Sequence, residues 1–330
     1  MSISELRADF QQQLVGFLWD EWGQMGVSAT PYDHDPRVAD PEALLLLTFE
    51  AGRGEPRLFD EVLDWMLVNE RLLSIQRLRN LAADEADRAL VEAVLGWLGQ
   101  NRRRPRLGAR SESADSAAEP QPFFRDSRLK VSDPDPAFLS QGFLKSPGGP
   151  SGKSQPPDLG LPINFGFRLR LLLGVGVRSE VARALLTSDS MSAQALADAT
   201  AYTKRNVQEA AEALAEGGFV GSWGTSRYTR YNMPRARWAG FLQIDPLPTS
   251  IDWPRVSSAF RRVLRWLSDP ANQDLGEYML LSGARTMLEA VTNDLVGAGA
   301  YFKPEEKTQD VSTFENFVGD LVRDVLSVDS

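Results

Sequence analysis

Apolar residues recur at helical spacing along most of the chain. Residues 1–24, 84–100 and 274–296 each place their apolar positions on one side of a helix, and so does the segment that begins at Ser312. Residues 43–50 are apolar almost throughout, which favours a helix that is buried on every side. The pattern predicts a protein of mostly α fold class.

Helix start signals support this prediction. Asp40 stands directly before Pro41, and the pair is typical of a helix start because the first turn has no use for the N–H that proline lacks. Ser74 is placed to cap a helix over 75–82 with its hydroxyl. We therefore expect residues 1–106 to form an all-α domain.

The helix from Leu58, the turn after it and the short helix from Ser74 could form a helix-turn-helix. Arg77 and Arg79 would then contact phosphate. The alternative is an ordinary polar helix end that leads into a basic linker, and we favour that alternative.

The most regular helical pattern lies within residues 178–233. One apolar stripe is formed at positions i, i+3, i+4 and i+7 by Val207, Ala210, Ala211 and Leu214. Thr203 precedes this helix as a cap, and Gly217 and Gly218 follow it as a stop signal. Two short strands, 219–223 and 227–233, then predict a β-hairpin.

The run Thr-Lys-Arg-Asn-Val207, followed by Leu214, Gly218 and Phe219-Val220, resembles the recognition helix and first wing strand of ArsR- and MarR-type winged helix-turn-helix regulators. The resemblance covers roughly residues 178–233. It implies a helix in the DNA major groove and a hairpin wing on the neighbouring backbone or minor groove. Carried over by position, the DNA-contacting residues would be Thr203, Lys204, Arg205, Asn206, Gln208, Arg227, Tyr228 and Arg230, with Glu209 at the rim.

The residue types on this helix match base edges. Lys204 or Arg205 would read guanine, and Asn206 or Gln208 would read adenine, because their donors and acceptors fit those bases. Glu209 and Glu212 put negative charge on the same face. Winged helices also serve as protein-binding modules, so an interaction module is kept as the alternative.

Composition divides the rest of the chain. Residues 107–162 are rich in Pro, Ser and Gly, with apolar clusters only at places such as Phe123-Phe124 and Phe138-Leu139. Such a segment buries little apolar area, so we predict a disordered linker. Residues 163–240 would then be the winged helix-turn-helix with its small β-hairpin wing, and residues 241–330 a helical C-terminal region with a possible role in dimerisation.

The predicted linker contains a segment similar to a phosphate-binding loop. Residues 147–154 read PGGPSGKS, but Pro147 stands where the first glycine belongs. No strand pattern precedes the segment, and the prolines that follow exclude the helix such a loop needs. We do not expect it to bind a nucleotide.

The local distribution of charge favours nucleic-acid binding in one region of the chain, although the net charge does not. The whole chain has a formal net charge of −9, but residues 163–240 hold ten basic and six acidic side chains. The ten are Arg168, Arg170, Arg178, Arg183, Lys204, Arg205, Arg227, Arg230, Arg235 and Arg237. Phosphate contacts supply most of the non-specific affinity for DNA, so this local charge matters more than the total.

Other chemistry finds little support in the sequence. The chain has no cysteine, which excludes disulfides, thiolate zinc sites and a cysteine nucleophile. Its single histidine, His34, lies between Asp33 and Asp35 in a loop that could hold a metal, although such loops are usually solvated. No spacing singles out a catalytic pair or triad. We predict that the protein is not an enzyme and has no cofactor and no metal.

The expected setting and partners follow from these observations. No apolar run is long enough to cross a bilayer, and the N-terminus lacks the pattern of a secretory signal. We predict a cytoplasmic transcription regulator that binds double-stranded DNA in a sequence-specific manner. We expect it to form a homodimer and to make no contact with a membrane. The alternative is an interaction component with a protein partner, such as the antitoxin or regulatory partner of a neighbouring enzyme.

Overall fold

A computed structural model describes residues 2–27, 37–102, 119–125, 130–225, 228–296 and 300–326. Within these ranges the chain is mostly helical, with fifteen α-helices and five short strands, so the predicted fold class is confirmed at that level. None of the described helices combines the length and the apolar character that crossing a bilayer requires.

Five helices form the first part of the protein. They are α1 (Ile3–Gln24), α2 (Pro41–Ala51), α3 (Pro56–Asn69), α4 (Ile75–Leu81) and α5 (Glu85–Asn101). Asp40 caps α2, accepting a hydrogen bond from the Ala43 N–H, and Ser74 caps α4. All eleven residues of α2 are buried, as its apolar sequence predicted, because the other helices surround it.

The C-terminal helices pack on this first part. They are α12 (Trp253–Ser268), α13 (Glu277–Val296), the short α14 (Pro304–Lys307) and α15 (Val311–Leu326). Helix α12 lies against α2, α1 and α13, and α15 lies against α1 and α13. The apolar stripes of α12 and α15 belong to the same core as α1 and α2. Helices α1–α5, α12, α13 and α15 therefore contribute to one core, and these stripes give no separate argument for a dimer interface.

Part of the segment predicted to be a disordered linker is packed against this core. Strand β1 (Gln121–Pro122) pairs in parallel with β2 (Phe143–Leu144), and α6 (Pro136–Leu139) lies between them in sequence. The rings of Phe123 and Phe138 are fully buried, 5.0 Å apart between centroids, and both contact Phe59. The prediction of disorder is therefore wrong for 119–125 and 130–162, because a few aromatic anchors fix a segment whose average composition is polar.

A second core is formed by residues between Phe165 and Leu247 together with Val38. Its elements are α7 (Phe165–Leu173), α8 (Val177–Leu186), β3 (Met191–Ser192), α9 (Ala193–Thr200), α10 (Lys204–Glu216), β4 (Gly221–Trp223), β5 (Arg230–Asn232) and α11 (Arg235–Leu242). The three strands form an antiparallel sheet in the order β3-β5-β4. The sequence predicted the hairpin of β4 and β5 but not β3, since two residues are too few to show alternation.

Candidate nucleic-acid interface

Helix α10 has one buried face and one exposed face. Its apolar stripe, Val207, Ala210, Ala211 and Leu214, is buried in the second core. The Thr203 hydroxyl accepts a hydrogen bond from the Asn206 N–H at 3.2 Å, so the predicted cap is observed. This cap fixes where the helix begins, and the polar residues of the first turn project into solvent.

The predicted base-reading side chains all lie on the exposed face of α10. Lys204, Arg205, Asn206 and Gln208 are exposed. Arg205 Nε donates to Glu209 Oε1 at 2.8 Å, and Gln208 Nε2 donates to Glu212 Oε1 at 2.8 Å. The hydrogen bond and the charge of Glu209 raise the pKa of Arg205. The exposed face of α10 therefore presents hydrogen-bond donors of Arg205 and Gln208, and each of these side chains is positioned by a carboxylate one turn further along the helix.

The residues predicted on the wing are only partly brought to the same surface. The Tyr228 side chain is exposed. The guanidinium of Arg230 is exposed but lies against Ser190, with Nε 3.0 Å from Ser190 Oγ and Nη2 2.7 Å from Ser190 O. Arg227 lies outside the described residues. Trp223 is half exposed on β4.

Two of the ten basic residues of 163–240 contribute nothing to an interface, because they are buried. Arg170 and Arg183 pair with carboxylates inside the protein. Arg168 Nη2 donates to the Leu242 carbonyl at 2.7 Å. The positive charge that remains toward solvent is concentrated near α10, the wing and α11, at residues such as Lys204 and Arg237.

Arg170 and Arg183 belong to a buried ionic cluster that joins the two cores. We define this cluster as Asp40, Glu42, Arg77, Arg170, Glu180 and Arg183, three guanidinium groups and three carboxylates. Arg170 donates to both Glu42 oxygens, at 2.7 and 2.6 Å, and to Glu180 Oε1 at 2.7 Å. Arg77 pairs with Asp40 and, at 2.9 Å, with Glu42. The charges cancel within the cluster, which is the condition for burying them.

The pKa values show the same balance of charge and burial. Burial by itself would raise the pKa of Glu180, but the charges of Arg170, Arg183 and Arg77 outweigh it and hold that pKa well below its usual range. Asp40 behaves likewise: burial opposes ionisation, and the charge of Arg77 lowers its pKa. Both carboxylates are therefore ionised in the folded protein at neutral pH.

The cluster also reaches the turn that precedes α10. Arg77 Nε donates to the Thr200 carbonyl at 2.7 Å, and Asn80 Nδ2 donates to the Ala201 carbonyl at 2.8 Å. The hydroxyl groups of Ser74 and Tyr202 lie 2.9 Å apart, within hydrogen-bonding distance. Helix α4 thus holds the turn between α9 and α10. The idea that Arg77 contacts phosphate is wrong, because its side chain is fully buried in the protein.

The segment similar to a phosphate-binding loop has a different role. Asp64 on α3 accepts hydrogen bonds from the Gly152 N–H at 2.9 Å and the Ser154 N–H at 3.0 Å. Burial would raise the pKa of Asp64, but these two backbone donors lower it. The backbone N–H groups that would face a phosphate are directed at a carboxylate of the same chain.

No cluster of three or more metal-ligating side chains occurs in the part of the chain that the structure describes. The loop that contains Asp33, His34 and Asp35 lies outside it. No protein-family model, curated protein or solved structure matches the chain. The function of the α10 surface therefore has to be inferred from its own residues.

Proposed function

We propose that the protein is a sequence-specific DNA-binding transcription regulator, and that residues 177–233 are a winged helix-turn-helix whose helix α10 enters the major groove. The order of elements supports this proposal: a helix, a strand, two helices and a hairpin, with β3 added to the hairpin in the order β3-β5-β4. A major groove about 12 Å wide admits one α-helix.

The observation that carries the proposal is the two-sided character of α10. Its stripe is buried, so the helix is fixed, while its first two turns expose Lys204, Arg205, Asn206 and Gln208. Glu209 accepts from Nε of Arg205, which leaves the two Nη groups of that guanidinium to face O6 and N7 of a guanine. Gln208 or Asn206 would face adenine in the same groove.

The test is selection of a preferred duplex from random sequences, followed by a gel-shift titration. Lys204→Ala with Arg205→Ala should weaken the selected duplex at least fivefold, because one bidentate base contact is worth about 1–3 kcal/mol. The matched control is Lys303→Ala with Arg323→Ala, which removes two exposed cations next to α14 and on α15. The control should bind as the wild type does.

Arg230→Ala should behave differently from the α10 variant. A phosphate contact carries no sequence information, so all duplexes should weaken alike and the salt dependence should flatten by about one unit of slope. If Lys204→Ala with Arg205→Ala binds the selected duplex as tightly as the control variant, α10 is not the reading surface.

A protein-binding role is the second candidate, because the exposed face of α10 is electrically balanced. Lys204 and Arg205 are matched by Glu209 and Glu212. The protein would then be an antitoxin or regulatory partner of an enzyme, with the winged unit autoregulatory or protein-binding. Recovery of a stoichiometric partner by affinity capture, without retention on genomic DNA, would favour this role. The predicted homodimer is tested by light scattering on the purified chain.

A further inference from the structure

The three-stranded sheet has an outer face that carries an aromatic ring and a cation side by side. Arg230 on β5 is paired with Ser192 on β3 and with Trp223 on β4. Directly paired residues of antiparallel strands project to the same face of a sheet. Tyr231, the next residue on β5, projects to the other face and is buried. Ser192, Arg230 and Trp223 therefore form one row on the side away from the core.

Tyr228 adds a second exposed ring at this end of the sheet, because its backbone carbonyl lies against Gly224, the residue that follows Trp223. Tyr228 lies two residues before Arg230, its side chain is 79% exposed, and Trp223 is 49% exposed. The Tyr228 N–H donates to the Thr225 carbonyl at 2.6 Å, which fixes the backbone of Tyr228 in a turn. We call Trp223, Tyr228 and Arg230 the wing face.

The chemistry of the wing face selects among occupants. Two exposed rings and a guanidinium held by Ser190 offer flat apolar surfaces next to a positive charge. The nearby carboxylate of Asp189 lies 3.8 Å from Arg235, so a cation opposes its charge. Bases of an unpaired strand have free π faces and adjacent phosphates, and aromatic rings with arginine are the usual platform for them. In a duplex those faces are covered by neighbouring bases.

We propose that the wing face binds an unpaired nucleic-acid strand, with bases stacked on Trp223 and Tyr228 and a backbone phosphate beside Arg230. This single-stranded ligand is different from the duplex proposed for α10. Trp223 belongs only to the wing face, and Lys204 and Arg205 belong only to the α10 surface, so substitutions at these positions separate the two surfaces.

The test measures fluorescence anisotropy of a labelled oligo-dT of about 15 nucleotides and, separately, of a blunt duplex. Trp223→Ala should weaken oligo-dT binding at least fivefold, because one stacked base contributes about 1–3 kcal/mol. Duplex affinity should stay within about twofold, since the α10 contacts are intact. The control Tyr278→Ala removes a ring that is 82% exposed on α13 and should leave oligo-dT binding unchanged.

A second readout reports stacking directly. Oligo-dT should quench tryptophan fluorescence in the wild type, and Trp223→Phe should retain most of the binding while losing that quenching. The other seven of the eight tryptophans remain as an internal reference. Thermal unfolding of each variant confirms that the sheet is intact.

The inference is overturned if the wild type does not bind oligo-dT at about 50 mM salt, or if Trp223→Ala binds it unchanged. It is also overturned if that variant weakens oligo-dT and duplex equally. Binding of oligo-dT that depends on the rings, together with no duplex binding, supports the wing face and contradicts the proposed function. Duplex binding without oligo-dT binding supports the proposed function and contradicts the role of the wing face.

Discussion

Replacement of Arg170 by methionine tests whether buried charge holds the two cores together. Arg170 is 3% exposed and donates to Glu42, Glu180 and the Leu72 carbonyl, the last at 2.7 Å. In Arg170→Met the cluster keeps three carboxylates and only two guanidinium groups. The buried cluster then carries one uncompensated negative charge.

The magnitude follows from what each carboxylate keeps. Breaking a buried ion pair costs about 3–5 kcal/mol, most of it from the charge left behind. Glu42 still accepts from Arg77 at 2.9 Å and from the Ser74 N–H at 2.7 Å, and Glu180 still accepts from Arg183 at 2.9 Å. We therefore expect a loss at the low end, about 3 kcal/mol of unfolding free energy.

Urea unfolding followed by circular dichroism at pH 7 measures this loss. Arg262→Met is the matched control, because Arg262 is half exposed and pairs with Asp294 at 3.0 Å; it should cost less than about 1 kcal/mol. Adding Glu180→Gln to Arg170→Met restores a neutral cluster. The double variant should recover at least about 1 kcal/mol relative to simple addition of the two single losses.

Two results would refute this reasoning. One is a loss in Arg170→Met that equals the loss in Arg262→Met, which would mean that the buried pairs contribute no more than exposed ones. The other is strict additivity of Arg170→Met and Glu180→Gln, which would mean that shape rather than charge is responsible.

Two further predictions concern other parts of the core. Burial would raise the pKa of Glu50, but Arg125 and Arg265 lower it from 4.5 to about 2. Its contribution is therefore fully present above about pH 4.5 and is lost as the pH falls toward 2. Glu50→Gln should therefore remove about 3 kcal/mol of the pH dependence of the unfolding free energy over that window, measured by urea unfolding; parallel curves would contradict this. Phe123→Ala should cost about 3–5 kcal/mol because the ring is fully buried, whereas Phe124→Ala, at a partly buried ring, should cost clearly less. Equal losses in thermal or urea unfolding would contradict the packing of residues 119–125.

Helix positions could be predicted from the sequence because their signals are local. The apolar stripe of α10 and its Thr203 cap both lie within a dozen residues, and the observed helix begins at Lys204 as expected. The same holds for α2, where Asp40 and Pro41 mark the start. Mostly helical architecture follows from such signals without any knowledge of long-range contacts.

The buried ionic cluster could not be predicted in this way. Glu42 and Arg170 are 128 residues apart in sequence. Each lies in a helix, and a charged residue in a helix is normally expected on the face exposed to solvent. Only the tertiary arrangement reveals that their charges cancel. The one available signal was a glutamate at the start of an otherwise apolar helix, which has to be either exposed or paired.

The packed part of 119–162 was missed for a related reason. Average composition describes how much apolar area a segment offers, and that area is small here. Average composition does not show that a few aromatic rings can anchor a polar segment by packing into a core formed by other parts of the chain. Phe123 and Phe138 enter the core beside Phe59, and the backbone N–H groups of Gly152 and Ser154 find Asp64.

The contacts of α4 determine how the exposed face of α10 is presented. Ala201, in the turn before α10, has a left-handed backbone conformation with φ of 55°, which costs a non-glycine residue about 1–2 kcal/mol. The Thr200 and Ala201 carbonyls on that turn accept hydrogen bonds from Arg77 and Asn80, and hydrogen bonds, unlike apolar contacts, are directional. The boundary between the two cores is therefore crossed by buried charges and by the hydrogen bonds that orient α10. Any ligand of α10 therefore binds to a helix whose orientation is fixed by contacts with α4.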